Sequence, residues 1–182
     1  MNDNLLSELL DEREIQRVFM RYIRGCDRRD YDLVRAAYHP DAYDDHGPYK
    51  GGPEGLIDWV QKYNKEAYQM MHHCSPCHIE IDGNKALVET YCILLQEMKA
   101  IVNGTESLRQ IVIPLRYVDR FEKRDGSWKI AHRVVVYEQL IDEPLEAQKV
   151  EGQRRLGPAY TQALRSQEDP VYKVMNATPP PG

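Results

Sequence analysis

Apolar residues in the first part of the chain recur every three or four positions, which is the spacing of one face of an α-helix. This spacing predicts a first helix over residues 11–29. The apolar positions are Ile15, Val18, Phe19, Tyr22 and Cys26. Asp30 is suited to cap a second short helix, which must end before Pro40. Pro53 predicts the start of a third helix, and the Asp- and Gly-rich residues 41–52 before it predict a loop with one short strand.

The pattern changes to strand spacing after residue 70. The predicted strands cover residues 79–81, 86–98, 109–121 and 128–140. Asn-Gly and Asp-Gly pairs between the later strands predict tight antiparallel turns. The adjacent His72 and His73 lie at the junction between the third helix and this meander. Three helices followed by an antiparallel meander predict an α+β fold rather than a wound α/β fold.

Composition and charge narrow the class of protein. The 182 residues are 42% hydrophobic, which suits one domain over residues 1–145, with residues 146–182 as a C-terminal tail carrying a short helix over residues 157–167. The net charge of -5 disfavours nucleic acid as a partner. No apolar run is long enough for a membrane helix, and the acidic start lacks the features of a signal peptide. We therefore expect a cytoplasmic protein without a membrane or nucleic-acid partner.

The cysteines and the short motifs point away from metals and cofactors. The chain has four cysteines, and the Cys74–Cys77 spacing lacks the second ligand pair that a zinc site needs. The sequence contains no glycine-rich phosphate loop and no nucleophile elbow. We expect neither a metal nor a cofactor.

Asp27 and the two adjacent histidines are candidates for general acid–base chemistry. A buried Asp beside a His fixes the imidazole tautomer and stabilises the imidazolium, which makes the His a better base. His72 and His73 point in opposite directions if the backbone is extended, so at most one of them faces a cavity. The pattern of residues leaves that choice open.

Two further groups could contact a substrate. In the stretch before the third helix, we expect a binding role in which Tyr49 and His46 face the substrate, with Tyr43 beside them. On the last strand, Arg133 could hold an anion or polarise a departing oxygen. Period-two alternation places Ile130, His132, Val134 and Val136 on one face and Ala131, Arg133, Val135 and Tyr137 on the other. Both faces contain Val, so the pattern does not decide whether His132 or Arg133 faces the cavity.

The chain resembles the SnoaL-like branch of the nuclear transport factor two-like superfamily. The resemblance rests on Tyr22-Ile-Arg-Gly-Cys-Asp27, Tyr38-His-Pro-Asp41, Tyr49-Lys-Gly51, Met71-His72-His73, Ile79-Glu-Ile-Asp82-Gly83 and Asp125-Gly-Ser-Trp128. It implies a cone-shaped α+β barrel, with three N-terminal helices packed on a curved, mostly antiparallel sheet. Related lyases are scytalone dehydratase, hexachlorocyclohexane dehydrochlorinase and bile-acid 7α-dehydratase. They use an Asp–His dyad without a cofactor.

The resemblance also assigns roles. It implies Asp27, His72, Tyr22 and Arg133 as catalytic residues, with His72 matching better than His73. We expect substrate contacts from Tyr49, His46, Tyr43, His73 and Trp59, and the resemblance implies a homodimer or homotrimer. The expected reaction is elimination of water, or of a small group such as formaldehyde, from an aromatic or polycyclic molecule. An excess of Tyr (12) over Phe (2) suits an oxygenated ring substrate. The alternatives are an isomerase or polyketide-cyclase type of enzyme and a non-catalytic ligand-binding or assembly subunit.

Overall fold

The computed structural model describes residues 3–102, 104–145, 160–161 and 163–176. Three helices and eight strands make up the fold in these residues. The helices are α1 (Asp3–Arg28), α2 (Tyr31–Ala36) and α3 (Pro53–Tyr63). The strands are β1 (Tyr38–Asp45), β2 (Lys50–Gly51), β3 (Ala67–Cys74), β4 (His78–Asp82), β5 (Lys85–Val102), β6 (Thr105–Arg124), β7 (Ser127–Tyr137) and β8 (Ile141–Pro144). Two short 3₁₀ segments follow, Pro170–Tyr172 and Val174–Asn176.

The strands form one curved, open sheet in the order β2-β1-β7-β6-β5-β3, with β4 paired to β5 and β8 paired to β6. All pairs are antiparallel except β1 with β7, which run parallel. The helices cover the inner face, where α1 buries Ile15, Phe19 and Tyr22 against the sheet. The predicted α+β class, with three helices on a mostly antiparallel sheet, is confirmed.

Several predicted boundaries were wrong. Residues 38–45 form a full strand rather than mostly loop, because they pair with β7 about ninety residues later in the chain. Residues 67–74 also form a strand, so His72 and His73 lie within β3 rather than at a junction. Both strands are stabilised by distant partners, and local periodicity does not report such pairing. The helix α1 begins at Asp3 and is therefore longer than its apolar pattern predicts.

A β-bulge in β7 corrects the predicted faces of that strand. His132 pairs with Arg120, and Ile130 pairs with the next residue of β6, Phe121, so Ala131 has no partner. One extra residue shifts the alternation, and Ile130 and Arg133 therefore both point into the core. Strict alternation had placed these two residues on opposite faces.

The C-terminal residues pack back onto the end of α1. Asp169 forms an ion pair with Arg28 at 3.2 Å, and the Tyr172 hydroxyl donates to Asp30 at 3.0 Å. The predicted short helix over residues 157–167 lies partly outside the described residues. Its described part, residues 160, 161 and 163–167, is not helical. No helix in the described part of the chain is long and apolar enough to cross a membrane.

Candidate active site

A cavity that is partly open to solvent lies between the helices and the inner face of the sheet, with about 560 Å³ of empty space when the solvent at its mouth is included. Its wall is mostly apolar and aromatic with a few polar groups, which is the usual composition of a site for a small organic ligand. The lining residues are Tyr22, Cys26, His46, Trp59, Val60, Tyr63, Asn64, Met70, His72, Leu94, Gln96, Ile113, Leu115, Tyr117 and Tyr137. Of the predicted site residues, this wall includes Tyr22, His46, Trp59 and His72.

Asp27 and His72 form a buried pair at this cavity. Asp27 lies in the last turn of α1, and His72 lies on β3. His72 Nδ1 is 2.6 Å from Asp27 Oδ1, and the His72 backbone N–H donates to Asp27 Oδ2 at 3.2 Å. The carboxylate therefore accepts the Nδ1 proton and leaves Nε2 as the ring nitrogen available to a ligand. This geometry is that of a general base held in one tautomer.

His73 points away from the cavity. It is exposed and lies in a shallow surface groove beside Ser75 and Tyr91, on the outer face of β3. Alternation along the strand explains the difference, because neighbouring residues of a strand point to opposite faces. Of the two adjacent histidines, the structure therefore brings His72 to Asp27.

Arg165 fixes the end of α1 that carries Asp27. Its guanidinium donates to the backbone carbonyl oxygens of Asp27 at 3.1 Å, Cys26 at 3.3 Å and Ala67 at 3.0 Å. The last carbonyl groups of a helix lack partners within the helix, and a cation there is favourable. Burial, together with the nearby Arg29, lowers the pKa of Arg165 to about 10. Sequence reasoning missed this residue, and the surrounding pattern carries no signal for it.

A second Asp–His pair lies at the end of β1. His46 Nδ1 is 2.7 Å from Asp44 Oδ1, and the Tyr38 hydroxyl donates to Asp44 Oδ2 at 2.6 Å. Burial alone would raise the pKa of Asp44, but His46, Arg133 and Tyr38 together hold it below its usual value. His46 lines the cavity, as predicted, whereas its carboxylate partner was not among the predicted site residues.

Arg133 lies behind the cavity wall, and it is not among the lining residues. Its Nε and Nη2 donate to the two carboxylate oxygens of Asp119, at 2.7 and 2.5 Å, and its Nη1 donates to the Tyr38 hydroxyl at 3.1 Å. The guanidinium lies over the rings of Tyr22 and Tyr117, at 4.1 and 4.4 Å from their centroids. All three residues of the Asp119–Arg133–Tyr38 chain are fully or almost fully buried. The structure therefore connects Arg133 through the Tyr38 hydroxyl to Asp44 of the second Asp–His pair, and Arg133 does not face the cavity.

The surroundings of Asp119 and Arg133 shift the pKa of each of these two groups. Burial raises the pKa of Asp119 and outweighs the opposing effect of Arg133. Burial by itself would lower the pKa of Arg133, but Asp119, Tyr38 and Tyr22 hold it well above its usual value. The guanidinium therefore stays charged inside the core.

Five of the fifteen residues that line the cavity are Tyr or Trp. Trp59 stacks on Tyr63 with ring centroids 5.7 Å apart, and Tyr22 meets Tyr117 edge to face at 6.0 Å. Burial raises the pKa of Tyr22 and Tyr117 well above the usual value, so both keep their hydroxyl protons. Burial also raises the pKa of Tyr137 to about 12. The cavity is thus lined by phenols in their protonated form.

Besides His73, two more predicted substrate contacts, Tyr49 and Tyr43, lie outside this wall. The Tyr49 hydroxyl donates to the Gly52 carbonyl at 2.6 Å. The Tyr49 ring stacks on the ring of Trp59, with 6.1 Å between the centroids. Tyr43 is exposed and packs edge to face on His132, which does not line the cavity either.

Asn64 is a polar residue of the wall that sequence reasoning missed. It is 1% exposed, and neither its side-chain nitrogen nor its side-chain oxygen has a hydrogen-bond partner in the described residues. Buried amides without partners are rare in proteins, and they call for a specific explanation. Gln96 lies on the same wall, and its Oε1 accepts from the Tyr63 hydroxyl at 3.3 Å. These amides could bind a polar group of a ligand.

The described residues contain no cluster of three or more His, Cys, Asp or Glu side chains arranged to hold a metal ion. The four cysteines are free thiols, and burial raises the pKa of Cys26, at the cavity wall, to about 12. Cys74 and Cys92 face each other across β3 and β5. The acid–base groups at the cavity are therefore the two histidines and the phenols.

Three helices packed on a curved, mostly antiparallel sheet are the fold of the nuclear transport factor two-like class. The SnoaL-like domain family matches residues 7–134, which is most of the chain, and the protein belongs to that family. An uncharacterised protein of Mycobacterium tuberculosis strain H37Rv is 24% identical over 133 residues, covering 71% of this chain and 86% of that protein.

Solved structures with the same fold include two from species of the genus Novosphingobium. The hexachlorocyclohexane dehydrochlorinase LinA type 3 of Novosphingobium barchaimii aligns with a TM-score of 0.67 at 23% identity, over 78% of this chain and 94% of that chain. A scytalone dehydratase-like protein of Novosphingobium aromaticivorans aligns with a TM-score of 0.65 at 19% identity, over 81% and 95%. At these identities the likeness establishes the fold.

Proposed function

We propose that this protein is a cofactor-independent lyase in which His72, held by Asp27, removes a proton from its substrate and a small leaving group departs. The observation that carries the proposal is the 2.6 Å contact between His72 Nδ1 and Asp27 Oδ1 at the wall of the cavity. Because Asp27 occupies Nδ1, Nε2 is the ring nitrogen left to act as the base. General-base assistance of this kind contributes about 10²- to 10⁴-fold to a rate.

The residues of the cavity wall favour an oxygenated aromatic molecule as the substrate. Trp59 and Tyr63 offer flat apolar surfaces, and the Tyr22 hydroxyl remains protonated because its ring is buried. A protonated phenol can donate to a substrate oxygen on which negative charge develops during proton removal. The Asn64 amide, which has no partner among the residues that the structure describes, could bind the same kind of oxygen. A carbonyl or phenol oxygen next to an aromatic ring fits these groups.

The structural neighbours add support for an elimination. Their names describe a dehydrochlorinase and a scytalone dehydratase-like protein, and both activities release a small molecule from carbon. Water is the leaving group that we expect here. An isomerase would use the same base but give a product with the mass of its substrate.

The test uses 3-hydroxy-1,3-diphenylpropan-1-one, in which removal of the proton beside the carbonyl and loss of water give chalcone. Wild-type protein should form chalcone, detected by its ultraviolet absorbance and by a mass lower by one water. Asp27→Asn and His72→Gln should each lower kcat/KM by about 10²-fold or more. His78→Gln is the matched control, because His78 is exposed and pairs with the surface residue Glu80.

Two results would contradict the proposed function. The first is an absence of enzymatic turnover in the wild type. The second is a wild-type rate that survives in both the Asp27→Asn and His72→Gln variants. A product with unchanged mass would instead support the isomerase.

A further inference from the structure

The second Asp–His pair has no role in proton removal by His72, yet it is built in the same way. In both pairs a buried carboxylate lies within 2.7 Å of Nδ1, and in both the histidine lines the same cavity. His46 is held further by its backbone, because its N–H donates to the Tyr49 carbonyl at 2.8 Å and its carbonyl accepts from the Tyr137 hydroxyl at 3.0 Å. A ring held this firmly presents Nε2 in one direction.

The two histidines enter the cavity from opposite sides. His72 belongs to β3, at one end of the sheet, and His46 directly follows β1, near the other end. Strands β7, β6 and β5 lie between them in the sheet order. The curvature of the sheet brings both histidines to the wall of one cavity. An elimination needs a base at the carbon and an acid at the leaving oxygen, and these two positions are on different sides of the reacting bond.

The surrounding charges differ between the two pairs. Two buried carboxylates, those of Asp44 and Asp119, and one guanidinium, that of Arg133, lie behind His46. Nε and Nη2 of Arg133 donate to the Asp119 carboxylate. Asp44 is connected to that guanidinium only through the Tyr38 hydroxyl. The other carboxylate that acts on His46, Asp45, is neutralised by Lys50 at 2.7 Å. A proton on His46 therefore makes this buried network electrically neutral.

The opposite holds at the first pair. The partly buried guanidinium of Arg165 lies at the helix end that carries Asp27 and donates to the Asp27 carbonyl. The guanidinium of Arg29 lies beside it and donates to the Ala67 carbonyl, as Arg165 also does. Two cations therefore lie near the one carboxylate of this pair. The charged groups around the two histidines therefore differ in sign, with an excess of carboxylates behind His46 and an excess of guanidiniums beside the Asp27–His72 pair.

We propose that His46, held by Asp44, is the general acid that protonates the leaving oxygen while His72 removes the carbon-bound proton. The C–H electrons form the new double bond, the C–O bond breaks, and the departing oxygen takes a proton from His46 Nε2 to leave as water. His72 ends the step protonated and His46 neutral, and exchange with solvent restores both. This inference rests on the proposed elimination, and it adds the group that gives a proton to the leaving oxygen.

The experiment compares two probes that differ only in the leaving group. In 3-hydroxy-1,3-diphenylpropan-1-one the leaving group needs a proton, whereas in 3-chloro-1,3-diphenylpropan-1-one it departs as chloride without one. Chalcone is the product of both, and the uncatalysed rate is subtracted. His46→Gln should lower kcat/KM about 10²-fold or more for the hydroxy probe, and by about threefold or less for the chloro probe. Asp44→Asn should show the same selective loss to a smaller degree.

His72→Gln is the comparison that separates this inference from the proposed function. It should slow both probes, because both need the base. A His46→Gln variant that slows both probes equally, or neither, would overturn the assignment of His46 as the acid. A His72→Gln variant that keeps both rates, beside a selective loss in His46→Gln, would overturn the base while leaving the acid in place. Circular dichroism of each variant shows that a loss of rate is not a loss of fold.

Discussion

At the scale of single residues, the partner of Nδ1 distinguishes the histidines of this chain. His46 and His72 each have a buried carboxylate at Nδ1 and line the cavity. His39 is buried too, but its Nε2 meets the backbone oxygen of Glu122 at 2.9 Å, away from the cavity. His78 pairs with an exposed carboxylate at the surface. Burial alone does not make a histidine a candidate base; a buried carboxylate and access to a ligand do.

Asn64 provides the residue-scale prediction. Asn64→Leu, a nearly isosteric change, removes an amide that has no partner in the described residues. The free energy of unfolding should stay the same or rise, because an unsatisfied buried polar group is costly. The KM for the hydroxy probe should rise about two- to tenfold, since one hydrogen bond contributes about 0.5–1.5 kcal/mol.

Urea unfolding and steady-state kinetics check the two effects, and Gln69→Ala, at an exposed position of β3, is the control. A loss of more than about 2 kcal/mol in stability with an unchanged KM would mean that the amide is structural.

At the scale of elements, local patterns predicted the helices and the long strands, and distant pairing determined the rest. The α3 helix starts at Pro53, and Asp30 caps α2 by accepting from the Leu33 N–H at 3.5 Å, both as predicted. The strand β1 was mostly missed because its partner β7 is far away in sequence. The bulge at Ala131 was missed because strict alternation cannot report an inserted residue. That bulge decides where Arg133 points.

The junction of α1 and α2 gives the element-scale prediction. A Cβ at Gly25 would lie 2.8 Å from the Asp30 carbonyl oxygen and 3.0 Å from the Val34 backbone nitrogen. Gly25→Ala should gain about 1 kcal/mol of helix propensity. It should lose more by overpacking, which typically costs about 1–3 kcal/mol, because two of the three obstructing atoms are backbone and the third is Val34 Cγ2.

We therefore expect net destabilisation and a loosened Asp27, two residues later. Urea unfolding measures the first effect and kcat/KM for the hydroxy probe measures the second. Met20→Ala, at an exposed position of the same helix, should change stability by no more than about 0.5 kcal/mol. If Gly25→Ala is as stable as the wild type, the close approach of the two helices is not a constraint.

At the scale of the whole molecule, one buried polar chain ties three strands together behind the cavity. It runs from Asp119 on β6 through Arg133 on β7 to Tyr38 and Asp44 on β1. The sequence pointed to Arg133 and His46 as separate candidates, and only the tertiary structure joins them. Asp27 and His72 were predicted together from the family resemblance, whereas Arg165 and Asn64 are positioned by contacts that no local pattern encodes.

Arg133→Met tests how much these buried polar side chains contribute to the free energy of unfolding. Removing one partner of a buried ion pair leaves the other charge uncompensated, which costs about 3–5 kcal/mol. The double variant Arg133→Met with Asp119→Leu should recover most of that loss, because an apolar replacement of a whole buried pair is often neutral. Urea unfolding of the two variants beside wild type gives both values. Equal losses in the single and double variants would mean that Asp119 does not depend on Arg133.

The central claim is that His72 Nε2 takes a proton from carbon, and hydrogen exchange tests it without any leaving group. In D₂O, 1,3-diphenylpropan-1-one has an exchangeable proton beside its carbonyl and nothing to eliminate. Mass spectrometry should show that wild-type protein and the His46→Gln and His78→Gln variants accelerate deuterium uptake, and that His72→Gln does not. Uptake that persists in His72→Gln, or that the wild type does not accelerate, would contradict the account.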